Sequence, residues 1–371
     1  MNDYTEIKYI SIKDFKKLDI DKISFIQMEI GERLIIERKK PSKKNKEKEK
    51  KIKLFNRVIK KVELLGQGGY GNVYKVEFVD KPGEYYALKK YNLRNKEGFD
   101  KSALREITIL KEINHENIEK IMDMFYDINS LFVLKEYHDV ELRKLISKNL
   151  QYPKVINLTH ADKKGIMKQI LVGLIELHKN GILHRDLAPA NILINKQGVV
   201  KISDFGLSRL IASPGRPMTQ GVVTKFYRAP EIFFGSKFYS FSIDVWSVGC
   251  IFSEMLLENI LFIGDSDVEI IKNICNLLGP PNDINWPDAI QLPKFRLVKG
   301  SPQFSIKKKF GKFGDECSDL MEKILVLNPN SRITAEEALN HPYFKVDPQP
   351  ANKERIAQVI KNYKTLIMNE G

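Results

Sequence analysis

Four short motifs, in one order along the chain, restrict most strongly what these 371 residues can fold into. A glycine-rich run occupies 66–73, and an Ala-Leu-Lys triplet ends at Lys89. A His-Arg-Asp triplet at 184–186 is followed after four residues by Asn191, and Asp-Phe-Gly occupies 204–206. Each motif alone is weak evidence, because a G-x-G-x-x-G run also opens dinucleotide-binding units and ordinary turns. All four, at these separations, do not assemble by chance.

The spacing of apolar residues predicts a change of architecture near Tyr137. Before it, alternating runs and a hairpin turn at 81–84 predict strands over 58–65, 71–78, 85–90, 118–126 and 131–136. One helix is predicted in this part over 103–113, with Asp100 or Ser102 as its N-cap. After Tyr137 the sequence predicts helices over 141–147, 162–179, 243–257, 267–278, 315–327 and 334–339. The predicted fold class is therefore α+β.

The net charge of +14 is concentrated in one tract. Nine lysines and two glutamates between Lys39 and Lys53 contribute +7, half of that charge. Because the tract is too charged to be buried, we interpret 39–53 as a flexible linker, with nuclear import or a weak contact to an anionic partner as the alternative. Three well-separated cysteines indicate neither a disulfide framework nor a zinc site, which favours an intracellular protein of the nucleus or cytoplasm.

Three apolar stretches lie outside the motifs: one at each end of the chain and one in the C-terminal half. Residues 1–38 alternate apolar and charged positions, a pattern compatible with one or two short helices. The most apolar stretch, 245–263, contains Glu254 and Glu258, so we interpret it as a buried helix and not as a membrane span. Near the other end, helical spacing predicts a helix packed on the body, with an apolar face formed by Ile356, Val359, Ile360, Tyr363 and Ile367.

With these motifs the sequence resembles a eukaryotic protein kinase from about residue 60 to residue 345. The resemblance implies a bilobal fold, with a small antiparallel-sheet N-lobe that carries one key helix and a larger, mainly helical C-lobe. We place an N-terminal extension at 1–55, the kinase domain at 56–345 with lobes at 56–137 and 138–345, and a tail at 346–371. The implied activity is transfer of the γ-phosphate of ATP, with Mg²⁺, to a protein hydroxyl.

The resemblance also assigns a role to each motif. Lys89 would bind the α- and β-phosphates while Glu106 orients it, and Asp186 would accept the proton of the substrate hydroxyl. Asn191 and Asp204 would ligate magnesium through oxygen. Glycines let backbone N–H groups approach the phosphates because they lack a Cβ. The other residues expected around the nucleotide are Leu65, Gly66, Gln67, Gly68, Gly69, Tyr70, Gly71, Val73, Ala87, Glu136 and His138.

Supporting roles follow from the same resemblance. His184 is expected to scaffold its own loop, and Asp244 is expected to hold that loop from the start of a long central helix. Glu231, in Ala-Pro-Glu, is expected to pair with Arg332.

Two positions depart from the family pattern. Ala188 stands where serine/threonine kinases usually have a lysine that touches the transferred phosphate. Tyrosine kinases often have alanine there with an arginine two residues later, but this chain has Ala190. Thr224, which serine/threonine enzymes place against the catalytic aspartate, therefore favours serine or threonine as the substrate. Lys135 occupies the gatekeeper position, usually apolar, and its ammonium either extends to solvent or binds a carboxylate.

The activation segment is similar to that of the cyclin-dependent kinases. Thr219 lies fifteen residues after Asp204, at the position of the family's activating threonine. Three arginines match those that bind the phosphate on that threonine, namely Arg105, Arg185 and Arg209. A MAP-kinase-like relative is the alternative, although the tyrosine of its Thr-x-Tyr motif is missing here.

Finer resemblance is to the CDK-activating kinase subgroup, the kinase of the transcription factor TFIIH. The segments that carry it are 102–107, 213–216 followed by Thr219, 264–267, 278–281 and 285–288, and Ser213 is then a second phosphosite. The resemblance implies a cyclin-type regulatory subunit, an assembly factor as a further candidate partner, and Ser/Thr-Pro substrates in cell-cycle or transcription control. It implies no membrane partner and no nucleic acid contact beyond the lysine tract.

Two other classes of function stay open on sequence alone. Ala188 and Lys135 are compatible with a catalytically weak kinase fold that serves as a scaffold, which the intact catalytic motifs disfavour. The lysine tract is compatible with a nucleic-acid-binding protein, for which the sequence contains no recognition motif.

Overall fold

The computed structural model describes residues 5–9, 33–36, 52–54, 57–68, 71–92, 101–126, 130–146, 156–211, 225–295 and 305–368. It divides into two compact units. We call the described parts of Met1–Asn114 and Glu119–His138 the N-terminal unit, and those of His115–Ile118 and Asp139–Gly371 the C-terminal unit.

An antiparallel sheet dominates the N-terminal unit. Among the described residues its eight strands are β1 (Thr5–Tyr9), β2 (Arg33–Ile36), β3 (Ile52–Leu54), β4 (Arg57–Gly68), β5 (Gly71–Phe78), β6 (Lys81–Asn92), β7 (Ile121–Tyr126) and β8 (Ser130–Glu136). They lie in the order β2-β1-β7-β8-β6-β5-β4-β3. One helix, α1 (Lys101–Glu112), connects β6 to β7 and buries Ala103, Ile107 and Leu110.

The two faces of the central strands differ, because successive side chains of a strand point to opposite sides. Leu88 of β6 pairs with Leu134 of β8, and both belong to an apolar core that also contains the stacked rings of Phe125 and Phe132, 4.8 Å apart. Lys89, the next residue after Leu88, pairs with Val133 and lies on the opposite face of the sheet. Strand alternation therefore places Lys89 on the face of the sheet opposite the apolar core of Leu88 and Leu134.

Two local predictions for this unit are wrong, and one of the two alternatives of a third is excluded. The hairpin turn lies at 79–80 and not at 81–84, because residues 82–84 form a bulge in which the Gly83 N–H donates to Glu77 at 3.1 Å. Ser102 lies inside α1 and is not its N-cap, and Asp100 lies outside the described residues. The described parts of 1–38 are strands and not helices, because β1 pairs with β2 and with β7.

The C-terminal unit is mainly helical. Its described α-helices are α2 (Leu142–Ile146), α3 (His160–Lys179), α4 (Pro230–Phe233), α5 (Ser242–Leu257), α6 (Asp267–Leu278), α7 (Ile306–Phe310), α8 (Asp315–Ile324), α9 (Ala335–Leu339) and α10 (Lys353–Met368). Thr159 caps α3 in a reciprocal capping box with Asp162. None of the helices in the described ranges is long and apolar enough to cross a membrane.

Short strands in the C-terminal unit place the motif loops. β9 (Val140–Glu141), β11 (Ile192–Ile194) and β12 (Val200–Ile202) form one sheet, and β10 (Ile182–Leu183) pairs with β13 (Arg209–Leu210) in another. The His-Arg-Asp triplet directly follows β10, Asn191 directly precedes β11, and Asp204 comes two residues after β12. The antiparallel pairing of β11 with β12 brings the loops of Asn191 and Asp204 together.

The predicted tail helix packs on the C-terminal unit. Ile356, Val359, Ile360 and Tyr363 of α10 are buried, whereas Ile367, expected on the same face, is half exposed. The chain before α10 comes so close to α3 that a Cβ on Gly165 would lie 2.3 Å from the Ala351 carbonyl oxygen. Arg355 also binds Asp162 at 3.0 Å. Residues 351–368 are therefore part of this unit's packing.

Candidate active site

The glycine-rich segment joins two paired strands. Gly66 lies opposite Val73 and Gln67 opposite Asn72 at the end of the β4–β5 ribbon, while Gly69 and Tyr70 lie outside the described residues. Gly71 has φ +138°, and a Cβ there would lie 1.9 Å from the Lys90 carbonyl oxygen. Glycine is therefore required at 71 by both conformation and space. No described atom approaches the Cβ position of Gly66 within 4 Å, so backbone there is open to a ligand.

Lys89 has the partner that the sequence predicts. Its Nζ lies 2.9 Å from Oε2 of Glu106, which α1 carries. The same oxygen accepts a hydrogen bond from the Tyr91 hydroxyl. Glu106 is 1% exposed, so this carboxylate depends on its neighbours for all of its solvation.

Lys135 resolves the alternative that the sequence left open: it binds carboxylates and does not reach solvent. Its Nζ contacts Oε1 of Glu106 and lies 2.8 Å from Oε2 of Glu119. All three side chains are at most 5% exposed. Sequence analysis missed Glu119, although a glutamate in the apolar run 118–126 was the available signal.

The electrostatics of this cluster keep it ionised. Burial disfavours the charged form of Glu106, but the ammonium groups of Lys135 and Lys89 outweigh it and hold the pKa of Glu106 well below its usual range. Burial likewise works against the charged form of Lys135, but the carboxylates of Glu106 and Glu119 outweigh it and raise the pKa of Lys135. At neutral pH Glu106 and Lys135 therefore both carry their charges.

The other residues expected near the nucleotide occupy neighbouring positions. Ala87 lies opposite Lys135 in the β6–β8 ladder, and Leu65 is partly exposed on β4. Glu136, the last residue of β8, accepts a hydrogen bond from the Lys120 N–H at 2.9 Å. His138 ends the N-terminal unit. The roles of these residues toward a ligand stay predictions.

In the C-terminal unit, Asp186 has a buried oxygen that is not used within the fold. Its Oδ1 has no hydrogen-bond partner among the described residues. Burial, and then the charge of Asp204, raise the pKa of Asp186 to about 7. A buried carboxylate oxygen without a partner costs stability, and such costs are typical of sites that a ligand completes.

Backbone hydrogen bonds fix the loop that bears Asp186. Asp244, the predicted anchor on α5, accepts hydrogen bonds from the backbone N–H groups of His184 at 2.9 Å and of Arg185 at 2.8 Å. His178 supplies a third contact at 3.2 Å, and it was not predicted. Burial disfavours the charge on Asp244, but the hydrogen bond and charge of His178 outweigh it and keep the pKa of Asp244 below its usual value.

These bonds hold a strained backbone. Arg185 has φ +70° and Asp204 has φ +60°, and left-handed conformations of this kind cost non-glycine residues about 1–3 kcal/mol each. Two further bonds hold the Arg185 side chain, from Nε to the Leu207 carbonyl at 2.6 Å and from Nη1 to the Tyr239 hydroxyl at 3.1 Å. Each of the two motif loops therefore contains a strained residue, and defined bonds fix both the backbone and the side chain of Arg185.

The loops of Asp186, Asn191 and Asp204 are also bonded to each other. The Asn191 side chain donates to the Asp186 carbonyl at 2.7 Å, and the Asn191 carbonyl accepts from the Ser203 N–H at 2.9 Å. The His184 ring contacts the Ser203 carbonyl at 2.9 Å, in agreement with its predicted scaffolding role. One amide and two carboxylates, the oxygen ligands that Mg²⁺ prefers, thus come together in this unit.

The remaining predicted residues divide into four groups. Arg332 forms the predicted bidentate pair with Glu231, at 2.9 and 3.1 Å. Ala188 is only 3% exposed. Arg105 lies on α1 in the N-terminal unit, whereas Arg185 and Arg209 lie in the C-terminal unit. The predicted phosphosites and the threonine of the activation segment lie outside the described residues: Ser213, Thr219 and Thr224.

Comparison with known proteins gives a consistent result. Residues 59–344 match the family of the protein kinase domain. Cyclin-dependent kinase 7 of Dictyostelium discoideum is 39% identical over 286 residues, which are 76% of this chain and 78% of the relative. Cyclin-dependent kinase 11 of the same organism is 39% identical over 298 residues, 79% of this chain and 81% of the relative.

A solved structure shares the fold. A chain from the CAK complex of Chaetomium thermophilum bound to ATP-γ-S aligns with a TM-score of 0.73 at 36% identity, over 80% of this chain and 94% of its own length. The sequence motifs, the Lys89–Glu106 pair and these matches agree with one another. The chain belongs to the protein kinase family and, within it, to the cyclin-dependent serine/threonine kinases, with similarity to the CDK-activating kinases.

Proposed function

We propose that this kinase uses ATP and Mg²⁺ to phosphorylate serine or threonine before proline, under the control of a cyclin-type subunit. The observation that carries the proposal is the buried, unpartnered Oδ1 of Asp186, beside Asn191 and Asp204. The relative bound to ATP-γ-S supports the choice of nucleotide.

Asn191 and Asp204 would hold the magnesium. The donor set fits that ion, because the charges of Asp204 and Asp186 repel each other and a bound divalent cation would relieve that repulsion. When bound, the ion neutralises charge on the phosphate oxygens. The protein's part is to present oxygen ligands on two loops that are already bonded to each other.

Asp186 would accept the proton of the substrate hydroxyl as the oxygen attacks. A carboxylate can do this only in its ionised form, and a pKa raised toward neutrality strengthens it as a base. Lys89 would bind the α- and β-phosphates while Glu106 keeps its ammonium directed. Thr224 would contact Asp186 and support serine and threonine as acceptors, with Ala188 leaving one phosphate contact of the family unfilled.

Control would come from a partner and from phosphorylation of Thr219. Because α1 carries both Glu106 and Arg105, a cyclin-type subunit that favours the position of α1 with Lys89 and Glu106 paired would raise activity, by no more than its differential affinity. A phosphate on Thr219 would gather Arg105, Arg185 and Arg209. Ser213 would be a second, weaker site of control.

The test compares the dephosphorylated full chain alone with its complex with the cyclin-type subunit that copurifies with it. Phosphate transfer from ATP with Mg²⁺ is measured on a Ser-Pro peptide and on a matched Ser-Ala peptide. We expect the complex to be more active by about a hundredfold or more, and to prefer Ser-Pro. Thr219→Ala should weaken activation or binding of the subunit, and Ser213→Ala should do so less. Full activity of the chain alone, unchanged by Thr219→Ala, would contradict partner control and leave a constitutive kinase.

A further inference from the structure

Two lysines of the N-terminal unit converge on one carboxylate. In the β6–β8 ladder Lys89 lies opposite Val133, and Lys135 lies opposite Ala87. The two lysines are thus diagonal neighbours on one face of the sheet, a separation that long side chains can bridge. Between them α1 inserts Glu106, whose Oε2 binds Lys89 and whose Oε1 binds Lys135.

Glu119 makes the cluster electrically neutral. Lys89 and Lys135 give the cluster two positive charges, and Glu106 and Glu119 give it two negative charges. Lys135 and the two glutamates are at most 5% exposed, so a missing charge could not be replaced by water at low cost. A lysine at 135 is therefore tolerated because Glu119 accompanies it.

The second lysine changes what Lys89 can do. When Lys89 turns toward phosphates, it shares its positive charge between them and Glu106. If Glu106 had no other cation beside it, its buried carboxylate would then be only partly neutralised. Here Glu106 keeps the full contact with Lys135 through its other oxygen. The carboxylate, and the helix that carries it, are thus held independently of Lys89.

We propose that Lys135 is a second positioning residue of this kinase, which holds Glu106 and α1 in the orientation that directs Lys89, while Glu119 balances its charge. The inference rests on the kinase activity and on contacts within the N-terminal unit. It does not depend on the cyclin-type subunit, the Ser-Pro preference or Thr219.

The experiment uses four variants of the full chain. Lys135→Met keeps the volume of the stem but leaves Glu119 buried without its cation, so this variant is expected to be the least stable. Glu119→Gln and Lys135→Met/Glu119→Gln form the decisive pair, because they differ only in Lys135 and neither contains an unpaired buried glutamate. Lys90→Met is the matched control, since Lys90 is the next residue on β6 and faces the other side of the sheet, over the Phe132 ring.

Two quantities are measured: KM for ATP at saturating peptide, and amide hydrogen exchange across the N-terminal unit. Exchange needs no activity, so it reports on Lys135 even if the proposed partner or substrate is wrong. We expect Lys90→Met to stay within about twofold of the wild type in KM. Relative to Glu119→Gln, the double variant should raise KM by about threefold or more and speed exchange in α1 alone.

If the double variant matches Glu119→Gln in both KM and exchange, Lys135 only neutralises Glu119, and the proposal is wrong. Exchange that rises across the whole N-terminal unit with an unchanged KM would show a purely structural role, which also contradicts it.

Discussion

The two units fix their functional residues by different physical means. In the N-terminal unit, Glu106 is held through side chains alone, by the ammonium groups of Lys89 and Lys135 and the hydroxyl of Tyr91. In the C-terminal unit, the Asp186 loop is held through its backbone, by N–H groups of His184 and Arg185 that donate to Asp244.

This contrast indicates which part of the site can be regulated. A backbone bonded to a buried carboxylate has one geometry, and here it is fixed even at the strained φ of Arg185. Glu106 is carried by α1 and its two lysines by β6 and β8, so the position of Glu106 relative to them responds to whatever moves α1. We infer that the base loop is preorganised and that the lysine–glutamate arrangement is the adjustable part.

The largest effect is expected from Asp186→Asn. It removes the proposed base without disturbing the Asp244 bonds, so phosphate transfer should fall by about a thousandfold or more while ATP affinity stays within a few-fold. Single-turnover transfer and nucleotide binding are measured separately. The control is Asp283→Asn at an exposed position, and an Asp186 variant that retains a tenth of wild-type turnover would contradict the assigned role.

Glu106→Gln tests the adjustable lysine–glutamate arrangement of the N-terminal unit. The amide cannot neutralise two ammonium groups, so Lys89 should lose its direction and phosphate transfer should fall by about a hundredfold. Hydrogen exchange should increase in α1 and not at 182–194. An equal increase in both segments would show that the two arrangements are not independent.

Asp244→Asn tests the preorganised loop that bears Asp186. An asparagine offers one acceptor oxygen to the groups of His178, His184 and Arg185 that now share a carboxylate. The free energy of unfolding should therefore fall by about 1–3 kcal/mol, and turnover should fall with it. The native pKa of Asp244 is depressed, so its contribution is present above the ordinary aspartate pKa and is lost as pH falls below about 4. Melting curves at several pH values should therefore show the difference between wild type and variant shrinking in acid.

The smallest effect is expected from deletion of residues 1–38. The deletion removes β1 and β2, but of its described residues only Lys8 and Tyr9 pair with β7, so the melting temperature should fall by no more than a few degrees. Basal activity should persist. Failure of the shortened chain to fold would show that these strands are required for the sheet.

The sequence predicted the elements that carry strong periodicity and the contacts that the family resemblance implies. The predicted strands and helices lie within a few residues of the observed ones, and the Lys89–Glu106 and Arg332–Glu231 pairs are present. The short strands of 5–9 and 33–36 could not be found, because pairing with distant strands and not local preference makes them extended.

Two further features depend on packing that no local pattern encodes. Lys135 and Glu119 are sixteen residues apart on separate segments, and only the folded sheet brings them to 2.8 Å. The turn at 79–80 was misplaced because Pro82 and Gly83, ordinary turn signals, form a bulge within the strand instead.

Amide hydrogen exchange of the free, dephosphorylated full chain can compare α1 with the loop of His184 and Arg185 in one experiment. We predict that the amides of α1 exchange at least about tenfold faster than those two loop amides, whose hydrogen bonds end on a buried carboxylate. Equal protection of the two segments would contradict the division into a preorganised loop and an adjustable helix.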